Sequence, residues 1–180
     1  MPGQPVAVPR ASLTGPAESV PAGPVRLHPL DLGTARALLA GTRPPANPPW
    51  HPQFPMTDTL TGIRLLLEAA PALPDAGPPP SPWWLYLIEA DGVVVGDTGF
   101  HGPPAPGTGA VVIGYQVVPA RRGLGVATRA CALLLRGAWA AGADEVWAEA
   151  DPGNGASRAV LARNGFVPQP DGWHLRRRPG

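Results

Sequence analysis

A turn with two closely spaced glycines is the clearest chemical feature of the sequence. It reads RRGLGVAT over residues 121–128, with Gly123 and Gly125 ahead of an apolar periodic run. Glycines allow sharp bends and close approach to the backbone, and a helix start directs unpaired amides and about half a positive charge toward an anion. Arg121 and Arg122 add full positive charges at the rim. The turn therefore predicts phosphate binding, although a structural turn with positive φ would use the same residues.

Two nucleotide-binding motifs compete for this turn, and both fit poorly. A P-loop requires Gly-Lys-Ser/Thr after its second glycine, and all 14 basic residues of this chain are arginine. A dinucleotide fingerprint requires a third glycine where Thr128 stands, although Glu149 or Asp151 could supply its acidic residue. An antiparallel hairpin upstream also argues against the fingerprint.

The elements that must position this turn follow from periodicity. Residues 110–118 predict a strand that runs into the turn. Apolar positions spaced as on one helix face predict a helix over about 122–141. A strand over 145–150 and a helix over 154–164 follow, so this half is a βαβ unit. The remaining elements are a strand at 25–28, helices at 31–40 and from 57 or 58 to 70, an antiparallel hairpin at 83–102 turning at Asp91-Gly92, and a final hairpin at 166–177.

Composition indicates one folded domain with an N-terminal arm. The 27 prolines lie mainly between the predicted elements and in residues 1–24, which predict a flexible arm. Residues 25–180 are long enough to bury a core as a single domain. Cys131 is the only cysteine and falls within an apolar helical run, which predicts an inert core residue and no disulfide.

Charge and hydropathy limit the classes of partner. The net charge is +1, and the basic cluster at 176–178 is local to the C-terminus, so we expect neither nucleic-acid nor membrane binding. The N-terminus lacks a basic segment followed by an apolar one, which predicts a cytoplasmic protein.

Two segments carry a resemblance to a known family. IGYQVVPARRGLGVATRA, followed by ADPGNGASRAVLARNGF, resembles the GNAT superfamily of N-acetyltransferases, most closely the branch that acetylates ribosomal-protein N-termini. Arg122, Gly125 and Ala127 meet its first signature, and its second is met by Asn154, Ser157, Gly165 and Phe166. The resemblance implies a mixed α/β, GNAT-like fold: a twisted, mostly antiparallel sheet of six or seven strands, splayed at its centre, flanked by about four helices.

The resemblance also implies acetyl-CoA as the cofactor. By analogy, its diphosphate lies on the amides that follow Arg122, and its pantetheine arm pairs with the preceding strand at Val117 and Val118. Asn154 would bond the pantetheine, and Ser157 would lie near the thiol. Asn154 could instead simply cap a helix. The amides implied are those of Gly123, Leu124, Gly125, Val126, Ala127 and Thr128.

Acetyl transfer to an amine needs a group that removes a proton, since an α-amino group has a pKa of about 8. Some relatives place their catalytic glutamate at the position of Glu149, and strand alternation puts Glu149 on the face away from Val146 and Ala148. An ion pair or a solvated position is the alternative for Glu149. His101, at a strand end, is a second candidate base, and a merely exposed histidine is its alternative.

Two departures from the family bear on catalysis. Val112 stands where many relatives carry an acid, and Leu161 where many carry a tyrosine acid, so Ser157 or water would assist the leaving thiolate. Trp50 and His51 lie where the family shapes its acceptor pocket; a loop anchor and a solvated histidine are the alternatives. We expect an amine-bearing small molecule or a protein N-terminus as acceptor and a possible homodimer. A non-catalytic acyl-CoA-binding or interaction protein with this fold is the second hypothesis.

Overall fold

A computed structural model describes residues 23–69 and 81–179. The predicted arm, residues 1–24, lies almost wholly outside the described residues. The described part contains seven strands and four α-helices in the order β1 (Val25–Pro29), α1 (Leu32–Leu39), α2 (Thr57–Ala69), β2 (Leu85–Ala90), β3 (Val93–Phe100), β4 (Ala110–Val117), α3 (Val126–Ala140), β5 (Glu145–Glu149), α4 (Gly155–Arg163), β6 (Val167–Pro168) and β7 (Trp173–Arg177). The mixed α/β class and the expected numbers of strands and helices are confirmed.

The strands form one sheet in the order β1-β2-β3-β4-β5-β7-β6. β4 and β5 are its parallel pair, joined through α3, and the other neighbouring pairs are antiparallel. A parallel pair needs a long crossover, which α3 supplies here. The predicted βαβ unit therefore lies at the centre of an otherwise antiparallel sheet.

Local signals account for several element ends. The Asp31 carboxylate accepts a hydrogen bond from Thr34 N and so caps α1. Asp91 and Gly92 take φ values of +53° and +74° in the β2–β3 turn, the left-handed region that the Asp-Gly pair favours. Gly165, with φ of +75°, follows α4 and ends it.

Helices cover both faces of the sheet. α3 and α4 pack on the face of β4 and β5 that carries Val111, Ile113, Val146 and Ala148. On the opposite face, α2 is bound to the sheet by a buried polar cluster: the Thr59 hydroxyl donates to Asp97 Oδ2 at 2.5 Å, and Gln116 Nε2 donates to both Thr59 Oγ1 and Asp97 Oδ1. Asp97 and Gln116 are directly paired across β3 and β4.

One boundary differs in a way that matters for the site. The helix expected from residue 122 begins at Val126, because Gly123 and Gly125 both have φ of +77° and a right-handed helix cannot contain such residues. Only the last three of the six predicted phosphate-binding amides, residues 126–128, therefore belong to the first helical turn. The other three lie in the preceding loop.

No described helix has the length and apolarity required to cross a membrane. Within residues 23–69 and 81–179, no three metal-ligating side chains cluster as a metal site.

Candidate active site

A gap opens between β4 and β5. The two strands pair at only three positions, the last of which joins Val112 to Trp147. β4 continues from Ile113 to Val117 while paired with β3 on its other side. β5 continues to Glu149 while paired with β7. Beyond Val112, each strand thus has one edge that faces the other across open space, as the predicted splayed sheet requires.

The ladder between β3 and β4 shows which backbone groups face this gap. His101 N donates to Val112 O, and Val118 N donates to Val95 O, both at 2.9 Å. In an antiparallel pair, residues that bond across the ladder alternate with residues whose N–H and C=O point to the other edge. The residues that present these groups to the gap are Ile113, Tyr115 and Val117.

Val117 and Val118 therefore differ in what they can offer a bound molecule. The amide of Val117 lies on the open edge. Val118 uses its amide on Val95, and its side chain is fully buried. Tyr115, two residues before Val117, presents its N–H and C=O to the gap in place of Val118.

The glycine turn lies at the wide end of the gap. Across the described part of the chain, the amides of residues 123–128 donate to no protein acceptor, and the helix start at Gly125 has no side-chain cap. The first amides of a helix need an acceptor from a side chain, water or a ligand. The two left-handed glycines bend this backbone around one point, which suits an anion.

The cations around the turn differ from the expected pair. Arg121 forms an ion pair with Asp91 in the β2–β3 turn at 3.0 Å, so its charge is neutralised. Arg122 remains exposed, and its Nε donates to Val117 O at 2.9 Å. Arg129 donates from a terminal nitrogen to Leu124 O at 3.2 Å, while its buried Nε has no partner in the described residues. Arg129 therefore lies beside the turn, 3.9 Å from the point where a Cβ on Gly125 would be, whereas Arg121 is engaged by Asp91.

The α4 side of the gap carries two polar side chains, those of Asn154 and Ser157. Asn154 caps α4, since its Oδ1 accepts from Ser157 N at 3.0 Å, as the helix-cap alternative predicted. Its amide nitrogen has no recorded partner among the described residues and remains a potential donor. Ser157 lies in the first turn of α4, and the phenol of Tyr115 reaches its Oγ at 2.8 Å. Burial raises the pKa of Tyr115 to about 12.

Glu149 and His101 lie on the opposite face of the sheet from α4. Val112 and Trp147 are directly paired and so point to one face; Gly114 and Glu149, two residues further along each strand, point to that same face. Glu149 is exposed and forms no ion pair with any described residue. His101 lies over Gly114, where an added Cβ would come 3.0 Å from its Nε2. The two candidate bases thus flank the gap on one face.

The two predicted acceptor residues have different surroundings. Trp50 stacks on Phe54 with ring centroids 5.5 Å apart, and its Nε1 donates to Pro44 O, so it anchors the proline-rich loop. His51 accepts from Gln53 N through Nδ1 at 3.2 Å and keeps Nε2 for another partner. Of these two side chains, His51 is the one with a ring nitrogen left to bind another molecule.

Cys131 is fully buried in α3, and burial raises its pKa to about 12. A thiol in this state is not a nucleophile at neutral pH.

Sequence reasoning did not select Tyr115 or Arg129. Arg129 lies four residues after Gly125, the spacing that brings a helical side chain back over the helix start, so it could have been found. The Tyr115 contact joins residues 42 positions apart and had no local signal.

Comparison with protein families gives a match over most of the chain. The family described as acetyltransferase (GNAT) domain matches residues 25–167. A search of curated proteins finds no significant match.

Several solved structures share this fold. RimJ of Mycobacterium smegmatis, in complex with CoA-disulfide, is 22% identical, covers 89% of this chain and 88% of its own, and has a TM-score of 0.57. The ribosomal-protein-S5-alanine acetyltransferase from Vibrio fischeri is 15% identical, with coverages of 87% and 96% and a TM-score of 0.57. The aminoglycoside acetyltransferase AAC(6')-Ib, in complex with coenzyme A, is 14% identical, with coverages of 86% and 95% and a TM-score of 0.58. At these identities the likeness is one of fold.

Proposed function

The chain belongs to the GNAT acetyltransferase family and is an acyltransferase, and from this premise we propose that it transfers an acetyl group from acetyl-CoA directly to a primary amine. The observation that carries the proposal is the conjunction of two features. β4 has an unpaired edge beyond Val112, and the amides of residues 123–128 beside it have no acceptor among the described residues.

The residues around the gap fit the two halves of the cofactor. A diphosphate would accept hydrogen bonds from the amides of residues 123–128, with Arg122 and Arg129 supplying charge. The amides of the pantetheine arm would then pair with the N–H and C=O of Tyr115 and with the N–H of Val117, as an added strand does with a free edge. Asn154, exposed at the start of α4, would donate its side-chain amide to the same arm.

Glu149 and Ser157 have complementary roles in this proposal. The unprotonated amine is the nucleophile, and Glu149 takes the proton that its nitrogen loses as the amide forms, directly or through a water. The nitrogen attacks the thioester carbon, the C–N bond forms, and the C–S bond breaks with its electron pair on sulfur. Ser157, on the other face of the gap, donates a hydrogen bond to that sulfur. No enzyme-bound acyl group is required, in keeping with the buried thiol of Cys131.

The acceptor in this proposal is a peptide N-terminus or a small amine. The amine would approach on the face that carries Glu149 and His101. His51 lies apart from these two side chains, because its amide bonds Val94 O at the start of β3, whereas His101 follows the end of that strand. Two of the fold relatives act, by name, on a ribosomal protein and on an aminoglycoside, which supports testing both classes.

Two measurements test the proposal. Isothermal titration calorimetry with CoA and acetyl-CoA should show one site per chain. CoA release, followed with a thiol reagent, should rise when acetyl-CoA is mixed with an active member of a panel of short peptides with free N-termini and aminoglycosides. Binding without turnover on any amine would favour the acyl-CoA-binding alternative. Absence of binding would overturn the proposal.

A further inference from the structure

A pair of hydroxyl groups bridges the two sides of the gap. Tyr115 projects from β4, and its phenol oxygen lies 2.8 Å from Ser157 Oγ and 3.2 Å from the Ser157 carbonyl oxygen on α4. Both side chains are partly buried. Ser157 has Tyr115 as the only recorded partner of its hydroxyl within the described ranges.

The position of this pair follows from the shape of the gap. The gap is wide at the glycine turn, next to Val117, and closes where Val112 pairs with Trp147. Five residues of strand span roughly 17 Å at about 3.3 Å per residue. A cofactor arm that starts at the turn and follows β4 must end within that length, and an arm that extends past Gln116 places its thioester in the inner half of the gap. Tyr115 and Ser157 border this inner half.

We propose that Tyr115 is a positioning residue: its phenol orients the Ser157 hydroxyl so that this hydroxyl donates to the CoA sulfur as the C–S bond breaks. This inference rests on the proposed function. The proton stays on Ser157 throughout, because an alkyl hydroxyl is a much weaker acid than a thiol. Ser157 therefore stabilises the thiolate by a charge-assisted hydrogen bond and does not protonate it.

Ser157 can turn its proton to the sulfur because the Tyr115 and Ser157 hydroxyls have two hydrogen-bond patterns, and both protons are donated in each of them. Without a thiolate, the Ser157 hydroxyl donates to the phenol oxygen, and the phenol donates to the Ser157 carbonyl. With a thiolate present, the phenol donates to Ser157 Oγ, and the serine proton turns to the sulfur. Every donor has an acceptor in both states. Because the pKa of Tyr115 is raised to about 12, its phenol stays protonated and can donate a hydrogen bond at the pH values at which amines are acylated.

The ionisation of CoA bound to the enzyme tests this without knowledge of the acceptor. Ultraviolet absorbance of the thiolate is titrated with pH in the CoA complex, with free protein subtracted; the one cysteine, Cys131, has a pKa of about 12 and does not interfere below pH 10. We expect Ser157→Ala and Tyr115→Phe each to raise the pKa of the bound thiol by about one unit, a tenfold change in its ionisation. Ser157→Thr, which keeps a hydroxyl, should restore most of the wild-type value.

Tyr86→Phe is the matched control. Tyr86 is the other tyrosine of the chain and lies on β2, where its phenol donates to Pro82 O at 2.8 Å. Its loss should leave the pKa of the bound thiol unchanged. Calorimetry on each variant should show CoA affinity within about threefold of wild type, since the phenol does not hold the diphosphate.

Each outcome decides between the two proposals. If wild type binds CoA and its thiol has the same pKa in all variants, Tyr115 has no such role, and the proposed function stands. If wild type binds no CoA, both proposals fall. If Tyr115→Phe does not fold, the Ser157→Ala and Ser157→Thr variants still test the inference. An unchanged pKa of the bound thiol in Ser157→Ala would show that Ser157 makes no hydrogen bond to the sulfur, and the inference depends on that bond.

Discussion

The guanidinium of Arg122 is bound to the strand that precedes its own turn, with Nε 2.9 Å from the carbonyl oxygen of Val117. This bond occupies the last outward-facing carbonyl of β4. Arg122 directly precedes Gly123, the first of the residues whose amides have no acceptor among the described residues. A single side chain thereby couples the edge proposed for the pantetheine arm to the turn proposed for the diphosphate.

Replacement of Arg122 should weaken acetyl-CoA binding. We expect Arg122→Ala to raise the Kd about tenfold, which corresponds to about 1.4 kcal/mol. Arg122→Lys should recover part of this, since it restores the charge and not the fixed planar contact with Val117. Calorimetry measures both, with Arg136→Ala as control because Arg136 is an exposed arginine further along α3. Equal affinity in wild type and Arg122→Ala would contradict the assignment.

Gly125 should tolerate no acidic side chain if its backbone faces a diphosphate. We expect Gly125→Glu to abolish detectable acetyl-CoA binding, through charge repulsion and the strain of a side chain at φ of +77°. Gly107→Glu is the matched control: it has φ of +80°, nothing lies within 4 Å of an added Cβ, and it lies in the loop before β4. Binding by Gly125→Glu at wild-type affinity would count against the phosphate site.

Glu149 should affect turnover and leave cofactor binding intact. We expect Glu149→Gln to lower kcat about a hundredfold, the lower range for a general base, with the Kd for acetyl-CoA nearly unchanged. Asp151→Asn, at an exposed acid just beyond the end of β5, is the control. The measurement is CoA release with the best amine of the panel. Turnover equal to wild type would transfer the role to His101 or to solvent.

Asp97 should make the protein less stable as the pH rises. Burial is the main cause that raises its pKa from 3.8 to about 6, against the hydrogen bonds from Thr59 and Gln116. The folded state therefore holds this proton more tightly than the unfolded state. Its favourable contribution is complete below pH 3.8 and is lost as the pH rises through 6, by about 3 kcal/mol at about 1.4 kcal/mol per pKa unit.

Urea unfolding of wild type and Asp97→Asn at several pH values measures this effect. Between pH 4 and 7, wild type should lose unfolding free energy relative to Asp97→Asn. The contributions of all other carboxylates are the same in both proteins and cancel in the difference. A difference that is independent of pH would show that Asp97 titrates normally.

Glu89 should have the opposite dependence. A hydrogen bond from His28 at 2.6 Å is the largest cause that lowers the pKa of Glu89, and Arg26 adds to it, while burial opposes both. The stabilisation from Glu89 is therefore present above its unfolded pKa of 4.5 and is lost as the pH falls below that value. The same urea experiment on Glu89→Gln should show wild type more stable at pH 7 and the two converging toward pH 3. A difference in unfolding free energy that does not change with pH would contradict the lowered pKa of Glu89.

Local sequence determined most of the elements and the place of the glycine turn. Periodicity located the seven strands and four helices, because side chains at strand or helix spacing must share a buried face. The Asp91-Gly92 pair located a turn, because few residues other than glycine adopt positive φ readily. The start of α3 was placed four residues early, since the same two glycines are compatible with a helix start and with a preceding loop until their φ values are known.

Tertiary structure alone decided which groups meet across the gap. The strand alternation that exposes Tyr115 and Val117 and hides Val118 depends on register with β3, which no local pattern specifies. The ion pair of Arg121 with Asp91 and the contact of Tyr115 with Ser157 join residues 30 and 42 positions apart. Such contacts follow from how the sheet brings distant segments together. The sequence therefore indicated which residue types could do chemistry, and only the tertiary structure decided which of them meet.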